Sequence, residues 1–227
     1  KMANIGEVQN HLRLPVPTGV VVTSLGYERF MERNDLQAEI DRRLQSSEGE
    51  KLDELYALSA DLQQLIIRSP VPEDLATAIM DSYREVAVEA GEGVKVSLRS
   101  SALGEDATET TFAGQYRSEL NVSEDNVLQA YKEVIASKYS LQAISYRQTR
   151  GIRDEDVAMC VGCMAMVQAV SGGVLYSRNP LNIRDHSIFI NSVWGLPKSV
   201  VDGSVACDLF VVSRDDPPVI LKRDVQL

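Results

Sequence analysis

The sequence predicts an α+β protein in which helices and strands are interspersed and the later strands pair antiparallel. Apolar residues recur at helical spacing between residues 52 and 90. Residues 94 to 99 instead alternate between apolar and polar side chains, which is the period of a strand. From residue 157 onward, short runs rich in Val, Ile and Phe are separated by turn residues, a pattern typical of antiparallel strands.

Four helices and one strand are predicted before residue 94. The helices cover residues 3–12, 27–34, 52–66 and 72–90, and the strand covers residues 19–23. Pro15 and Pro17 end the first helix because proline cannot continue one. The fourth helix begins near Pro72 with acidic residues in its first turn, where the helix dipole favours them, and Gly91 ends it. We interpret the apolar stripes of these helices as core.

Residues 94 to 99 form the strand that carries the first candidate site residue. The alternation places Arg99 on the polar face, at the end of this strand. A loop from Ser100 to Gln115, rich in Ser, Thr and Gly, follows it, and loops of this length are usually functional or disordered. An arginine leading into such a loop suits a phosphate chain, because guanidinium groups bind phosphoryl oxygens in pairs. The alternative is a solvated loop in which Arg99 pairs with Glu105, Asp106 or Glu109.

The second half of the chain is predicted to be mainly strand. Strands cover residues 116–122, 157–167, 173–177, 187–192, 209–213 and 219–222, with helices at 123–135 and 141–149. Cys160 and Cys163 form a lone CxxC, a spacing that can begin a zinc site or a redox motif. Residues three apart in a strand face opposite sides, so we expect two buried free thiols instead.

The composition is that of an ordinary globular protein. Of its 227 residues, 44% are hydrophobic and 6% aromatic, and the formal net charge is −10 at pH 7. An acidic chain argues against nucleic acid as the main partner, because duplex binding depends on Lys and Arg side chains that neutralise phosphates. The sequence has no apolar run long enough to span a membrane, and its three cysteines do not suggest a disulfide framework. We therefore expect a cytoplasmic protein of one large or two small domains.

Five segments carry a resemblance to one family. They are KMANIGEV…LRLPVPTGVVVT, VSLRSSALGED…TTFAGQYRSELNV, AISYR…GI, SGGVLYSRNP and INSVWGL…VVDGSVACDLFVV. Together they resemble, in the same order, the N-terminal ATP-grasp nucleotide-binding domain of phosphoenolpyruvate synthase and pyruvate phosphate dikinase, shared with rifampicin phosphotransferases. The resemblance extends from residue 1 to about residue 213. The sequence contains neither a Walker motif nor GxGxxG, so no P-loop or Rossmann site is predicted.

The resemblance implies a fold and a function. The implied fold is an ATP-grasp domain of two lobes, a larger one of residues 1–115 and 178–227 and a smaller one of residues 116–177, with this chain as the N-terminal part of the complete domain. The implied function is ATP binding for phosphorylation of a histidine on a swivelling domain, on the way to pyruvate at a PEP/pyruvate-binding domain. A rifampicin-like acceptor and a non-catalytic ATP-binding or sensing module are the alternatives.

The resemblance also assigns ligand-binding roles to residues of this chain. Lys1 corresponds to a phosphate-binding lysine, and its alternative is a flexible charged terminus. Arg99 corresponds to the arginine that contacts the ATP phosphates and is the candidate catalytic residue. Gly114 and Ser118 correspond to positions in the loop and strand that close over the nucleotide.

Two positions depart from the family pattern. Met164 stands where the family has a glutamine that meets the nucleotide, and a methionine can only pack there. Lys198 stands where a carboxylate is expected. The ligands of Mg²⁺ and the swivel histidine are expected beyond residue 227, so residues 1–227 alone are expected to be inactive.

Overall fold

Eight α-helices and two four-stranded antiparallel sheets make up the described part of the chain, together with a two-stranded pair. The computed structural model describes residues 1–46, 52–91, 93–103, 106–107, 110–111, 116–182 and 184–226. By its internal contacts the chain divides into two units, Lys1–Met166 and Val167–Leu227. The predicted α+β class is confirmed.

The first unit holds seven helices, six strands and three short 3₁₀ turns among its described residues. The helices are α1 Met2–Asn10, α2 Ser24–Arg33, α3 Leu36–Ser46, α4 Leu52–Arg68, α5 Glu73–Ala90, α6 Val127–Ala136 and α7 Leu141–Arg150. The strands are β1 Gly19–Val22, β2 Val96–Ala102, β3 Asp106–Ala107, β4 Thr110–Thr111, β5 Ser118–Val122 and β6 Met159–Ala165. The 3₁₀ turns are Glu124–Asn126, Ser137–Tyr139 and Asp154–Asp156.

The main sheet of the first unit has the strand order β1-β6-β2-β5, with every neighbouring pair antiparallel. Alternate residues of its central strands, such as Leu98 and Val161, belong to the hydrophobic core with the apolar stripes of α2, α4, α5 and α6. The opposite face carries the polar and small residues of the same strands. One face of this sheet therefore supports the fold, and the other is available for a site.

The second unit is built from four strands and one short helix. These are β7 Ser171–Tyr176, β8 Ile188–Trp194, α8 Lys198–Val201, β9 Asp208–Val212 and β10 Ile220–Asp224. The strand order is β10-β9-β8-β7, all antiparallel, which confirms the predicted pairing of the late strands and their final hairpin. No helix in the described ranges has the length and apolar character that a bilayer span requires.

Strand β2 is longer and more buried than the sequence predicts. Ser100, Ser101 and Ala102 continue the strand, because β6 runs on opposite them and supplies ladder partners at Val161, Cys160 and Met159. The prediction that the loop begins at Ser100 is therefore wrong. The predicted alternation is confirmed, since Lys95 and Arg99 are exposed and Leu98 is buried. Ser97 and Ser101, on the same face as Arg99, are nevertheless only 7% and 8% exposed. Small hydroxyl side chains are accommodated on a covered face, and Arg99 alone in β2 is exposed.

One predicted boundary between the two lobes falls within the main sheet. The boundary between residues 115 and 116 falls between β2 and β5, which are hydrogen-bonded neighbours in the sheet. The two units separated by contacts meet instead at residues 166 and 167. The assignment of the lobes stays a prediction.

Gly151 and Gly6 make a matched pair for testing backbone conformation. A Cβ built on either glycine meets no atom within 4 Å, but Gly151 ends α7 at a φ of +64° whereas Gly6 lies inside α1. We expect Gly151→Ala to lower the free energy of unfolding by about 1–2 kcal/mol, because a Cβ disfavours the left-handed region. Gly6→Ala is expected to leave it unchanged or raise it by up to about 1 kcal/mol. Urea unfolding followed by circular dichroism measures both, and equal effects would contradict this explanation.

Candidate functional site

Arg99 lies in the middle of β2, at the centre of the sheet, and not at a strand end. It is directly opposite Ser118 in β5 and Gly162 in β6, and Gly162 is opposite Val21 in β1. Because directly paired residues of antiparallel strands project from the same face, Ser118, Arg99, Gly162 and Val21 form one row across the sheet. The structure thus places two of the predicted site residues, Arg99 and Ser118, side by side.

The Arg99 side chain has no bonding partner in the described part of the chain. It is exposed, and no described acceptor lies within hydrogen-bonding or ion-pairing distance of its guanidinium group. The side chains of its predicted alternative partners, Glu105, Asp106 and Glu109, lie outside the described residues. A guanidinium group with no partner among the described residues, on an otherwise covered strand, is suited to an anionic ligand.

The first turn of α1 lies against β2 beside Arg99. Lys1 Nζ donates a hydrogen bond to the Ser100 carbonyl oxygen at 2.9 Å, and the Met2 backbone N–H donates to Ser101 Oγ at 3.3 Å. The Lys1 side chain therefore lies next to the part of β2 that carries Arg99. Lys95, immediately before β2, has the same strand parity as Arg99 and is exposed. Residues 95 and 99 share a face in a strand of period two, and this pattern could have identified Lys95 as a candidate site residue from the sequence.

Met164 lies on the same face as Arg99, two residues along β6 from Gly162. It is 6% exposed and pairs with Gly19 in β1 and Ser97 in β2. A Cβ on Gly19 would lie 2.8 Å from Met164 Cγ, so the glycine leaves room for the methionine side chain. The face thus has an apolar end at Met164 and a cationic end at Arg99 and Lys1. Gly114, the remaining predicted ligand, lies outside the described residues.

Cys160 and Cys163 occupy opposite faces of β6 and are free thiols. Cys163 is buried in the core, but Cys160 is half-buried, so the prediction that both are buried is wrong for Cys160. Cys160 pairs with Ser101, on the less completely covered face of the sheet. Burial raises the pKa of both thiols, that of Cys163 to about 11.

The two thiols are expected to differ in reactivity. At pH 8 a thiol of pKa 11 is a thiolate in roughly one molecule in a thousand, and only the thiolate is alkylated. We expect iodoacetamide to modify Cys160 at least about tenfold faster than Cys163 in the folded protein. Peptide mapping by mass spectrometry measures both rates, and urea-unfolded protein is the control in which the rates converge. Equal rates in the folded protein would contradict the placement of Cys163 in the core.

A second group of charged side chains is buried and was not predicted from the sequence. The Asp154 carboxylate accepts hydrogen bonds from Lys138 Nζ at 3.1 Å, Arg147 Nη2 at 3.3 Å and Tyr139 Oη at 3.1 Å. Lys138 Nζ also donates to Tyr27 Oη at 2.8 Å. The side chains of Lys138, Arg147 and Asp154 are only 1%, 4% and 8% exposed. Because these groups are bonded to one another and almost fully buried, they join α2, α7 and the turns Ser137–Tyr139 and Asp154–Asp156, and their role is structural.

Two further predictions concern metals and Lys198. Within the described ranges, no group of three or more His, Cys, Asp or Glu side chains is arranged to hold a metal ion. Lys198 begins α8 in the second unit, is exposed, and forms an ion pair with Asp202. Its ammonium group thus already has a carboxylate partner within its own unit.

Comparisons with known proteins give a consistent result. The family model described as "Pyruvate phosphate dikinase, AMP/ATP-binding domain" matches residues 1–226. A phosphoenolpyruvate synthase from Aeropyrum pernix is 36% identical over 98% of the chain, and one from Escherichia coli K12 is 33% identical over 98%. A phosphoenolpyruvate synthase from Neisseria meningitidis serogroup B is also 33% identical over 98%. The chain spans only 27%, 29% and 30% of the lengths of these three relatives, respectively.

Proposed function

Because the chain belongs to the pyruvate phosphate dikinase AMP/ATP-binding domain family, we propose that its first unit binds ATP at Arg99, on the face of the main sheet from which this side chain projects. In this proposal the phosphates lie over the row of Arg99 and Ser118, and Lys1 contacts them from the start of α1. The base lies toward Met164. Gly114 is assigned to the loop that closes over the nucleotide.

The strongest support for this proposal is the position of Arg99. Arg99 is an exposed arginine in the middle of a central strand, without a carboxylate or carbonyl partner among the described residues, and Lys1 is seated beside it. An anionic ligand is attracted to the exposed guanidinium group of Arg99, and Lys1 is bonded to the next residue of the same strand. A polyphosphate supplies both the charge and the paired acceptors that a guanidinium group prefers.

The proposed reaction of the whole protein is phosphoryl transfer from ATP to a histidine of a swivelling domain, followed by transfer to pyruvate. Arg99 and Lys1 would hold the phosphate oxygens in place and offset their charge, and positioning of this kind supplies most of the catalysis in phosphoryl transfer. Residues 1–227 are proposed to be inactive alone, as the N-terminal part of an ATP-grasp domain in a cytoplasmic enzyme.

Magnesium is assigned to residues outside this chain. In this proposal the ligands of Mg²⁺ lie in the segment beyond residue 227, where the resemblance to the family places them. The metal that accompanies ATP would then be held by the part of the protein that carries the remaining catalytic residues.

Two alternatives remain distinguishable by experiment. A rifampicin-like acceptor is not favoured, since the relatives named above are phosphoenolpyruvate synthases. A non-catalytic ATP-binding module would be consistent with Met164 and Lys198, where the family pattern has a glutamine and a carboxylate.

The proposal is tested with the intact protein and ATP labelled at the β- and γ-phosphates. We expect a phosphohistidine that forms with ATP and discharges when pyruvate is added. ATP binding without phosphohistidine would favour the non-catalytic module. Discharge by rifampicin and not by pyruvate would favour the other acceptor, and the absence of ATP binding would exclude all three functions.

A further inference from the structure

Helix α1 is attached to the sheet at its first turn. None of its nine residues is buried, so the helix has no apolar face of its own in the core. Its start is held by the hydrogen bonds from Lys1 to the Ser100 carbonyl and from the Met2 N–H to Ser101 Oγ. The Met2 side chain makes a third contact, with β6 at Gly162. These contacts at the first turn fix the start of α1 against the sheet.

The Met2 side chain packs directly against Gly162, which has no side chain to exclude it. A Cβ built on Gly162 would lie 2.6 Å from Met2 Cε, closer than real Cβ atoms approach, and 3.1 Å from Met2 Cγ, a tight contact. A larger residue at position 162 therefore displaces the end of the Met2 side chain from its place against the sheet. Gly162 is directly opposite Arg99 in the sheet, so the Met2 side chain packs next to the place where the Arg99 side chain projects from the sheet.

We propose that Met2 and Gly162 are positioning residues, which hold Lys1 beside Arg99 so that both cations meet the ATP phosphates. This inference rests on the proposed function, in which Lys1 binds phosphate. The Met2–Gly162 contact and the hydrogen bond from Lys1 to the Ser100 carbonyl hold the first turn of α1 against β2 and β6 before the nucleotide arrives. A lysine held in place also loses less side-chain entropy on binding than a free one.

The inference is tested in the intact protein with Gly162→Val and Met2→Ala, by titration with ATP and with adenosine. Both variants are expected to bind ATP about tenfold more weakly, the order of one charge-assisted hydrogen bond, and to bind adenosine as the wild type does. Met2→Ala removes the contact with Gly162 without adding a larger side chain to the sheet, so it remains informative if Gly162→Val does not fold. Gln9→Ala, at an exposed position of the same helix, is the matched control and is expected to change neither affinity.

A Lys1→Met background shows whether the two residues act through the lysine. In that background, Gly162→Val and Met2→Ala are expected to cause no further loss of ATP affinity. Equal losses for ATP and adenosine, losses that add to that of Lys1→Met, or unchanged ATP binding in both variants would overturn the positioning role. Absence of ATP binding by the wild type would overturn the proposed function itself, and with it this inference.

Discussion

Replacing Arg99 with alanine in the intact protein is expected to weaken ATP binding and ATP-dependent phosphorylation by about ten- to a hundredfold. The guanidinium group is exposed and has no partner among the described residues, so its removal leaves none of their acceptors unpaired, and we expect the fold to stay intact. The loss therefore reports on the ligand alone. Isothermal titration with ATP and a phosphohistidine assay measure the two quantities.

Two further variants make the Arg99 result specific. Arg99→Lys is expected to restore only part of the affinity, because an ammonium group keeps the charge and loses the planar pair of donors. Arg84→Ala removes an arginine of α5 that pairs with Asp81 and Glu124 on the surface, and it is expected to leave ATP binding unchanged. Full activity in Arg99→Ala would show that the phosphates bind elsewhere.

Replacing Asp154 with alanine is expected to cost about 3–5 kcal/mol of the free energy of unfolding. The substitution leaves Lys138 and Arg147 buried without their shared carboxylate, and two uncompensated cations repel each other in a medium of low dielectric constant. Both cations retain hydrogen bonds to other groups, Lys138 to Tyr27 and Arg147 to the Lys138 carbonyl, but these groups carry no negative charge. Urea unfolding measures the loss.

Asp156 provides the matched control, two residues away in the same 3₁₀ turn. It forms an ion pair with Arg153 at 2.7 Å, but its side chain is 48% exposed. Asp156→Ala is therefore expected to cost far less of the free energy of unfolding than Asp154→Ala, because water screens an exposed pair. Similar losses for the two variants would show that the Asp154 group is solvated and not buried.

The sequence predicted local structure better than the extent of burial. Hydrophobic period and turn residues were enough to place α4, α5 and the late hairpin, since these elements carry their pattern within one segment. The helix α3 was missed because it has few apolar residues, and Leu36 and Ile40 become recognisable as core only when α2 and α4 pack on them.

The site was partly predictable for the same reason. Arg99 stood out because strand alternation and a Ser/Thr/Gly-rich loop lie next to each other in the sequence. Its central position in the sheet could not be predicted, since it depends on β6 pairing with β2 across about sixty residues. The same holds for the contact between Met2 and Gly162 and for the buried Asp154 group. Both are made by residues that come together only in the folded chain.

A crystal structure of the intact protein with a non-hydrolysable ATP analogue tests the central claim most directly. We expect the analogue on the Arg99 face of the β1-β6-β2-β5 sheet, with Arg99 donating paired hydrogen bonds of about 2.7–2.9 Å to its phosphate oxygens. Lys1 is expected to contact the same phosphates, and Met164 to lie against the base. An analogue bound away from this face, with Arg99 paired to a carboxylate of the protein, would contradict the claim.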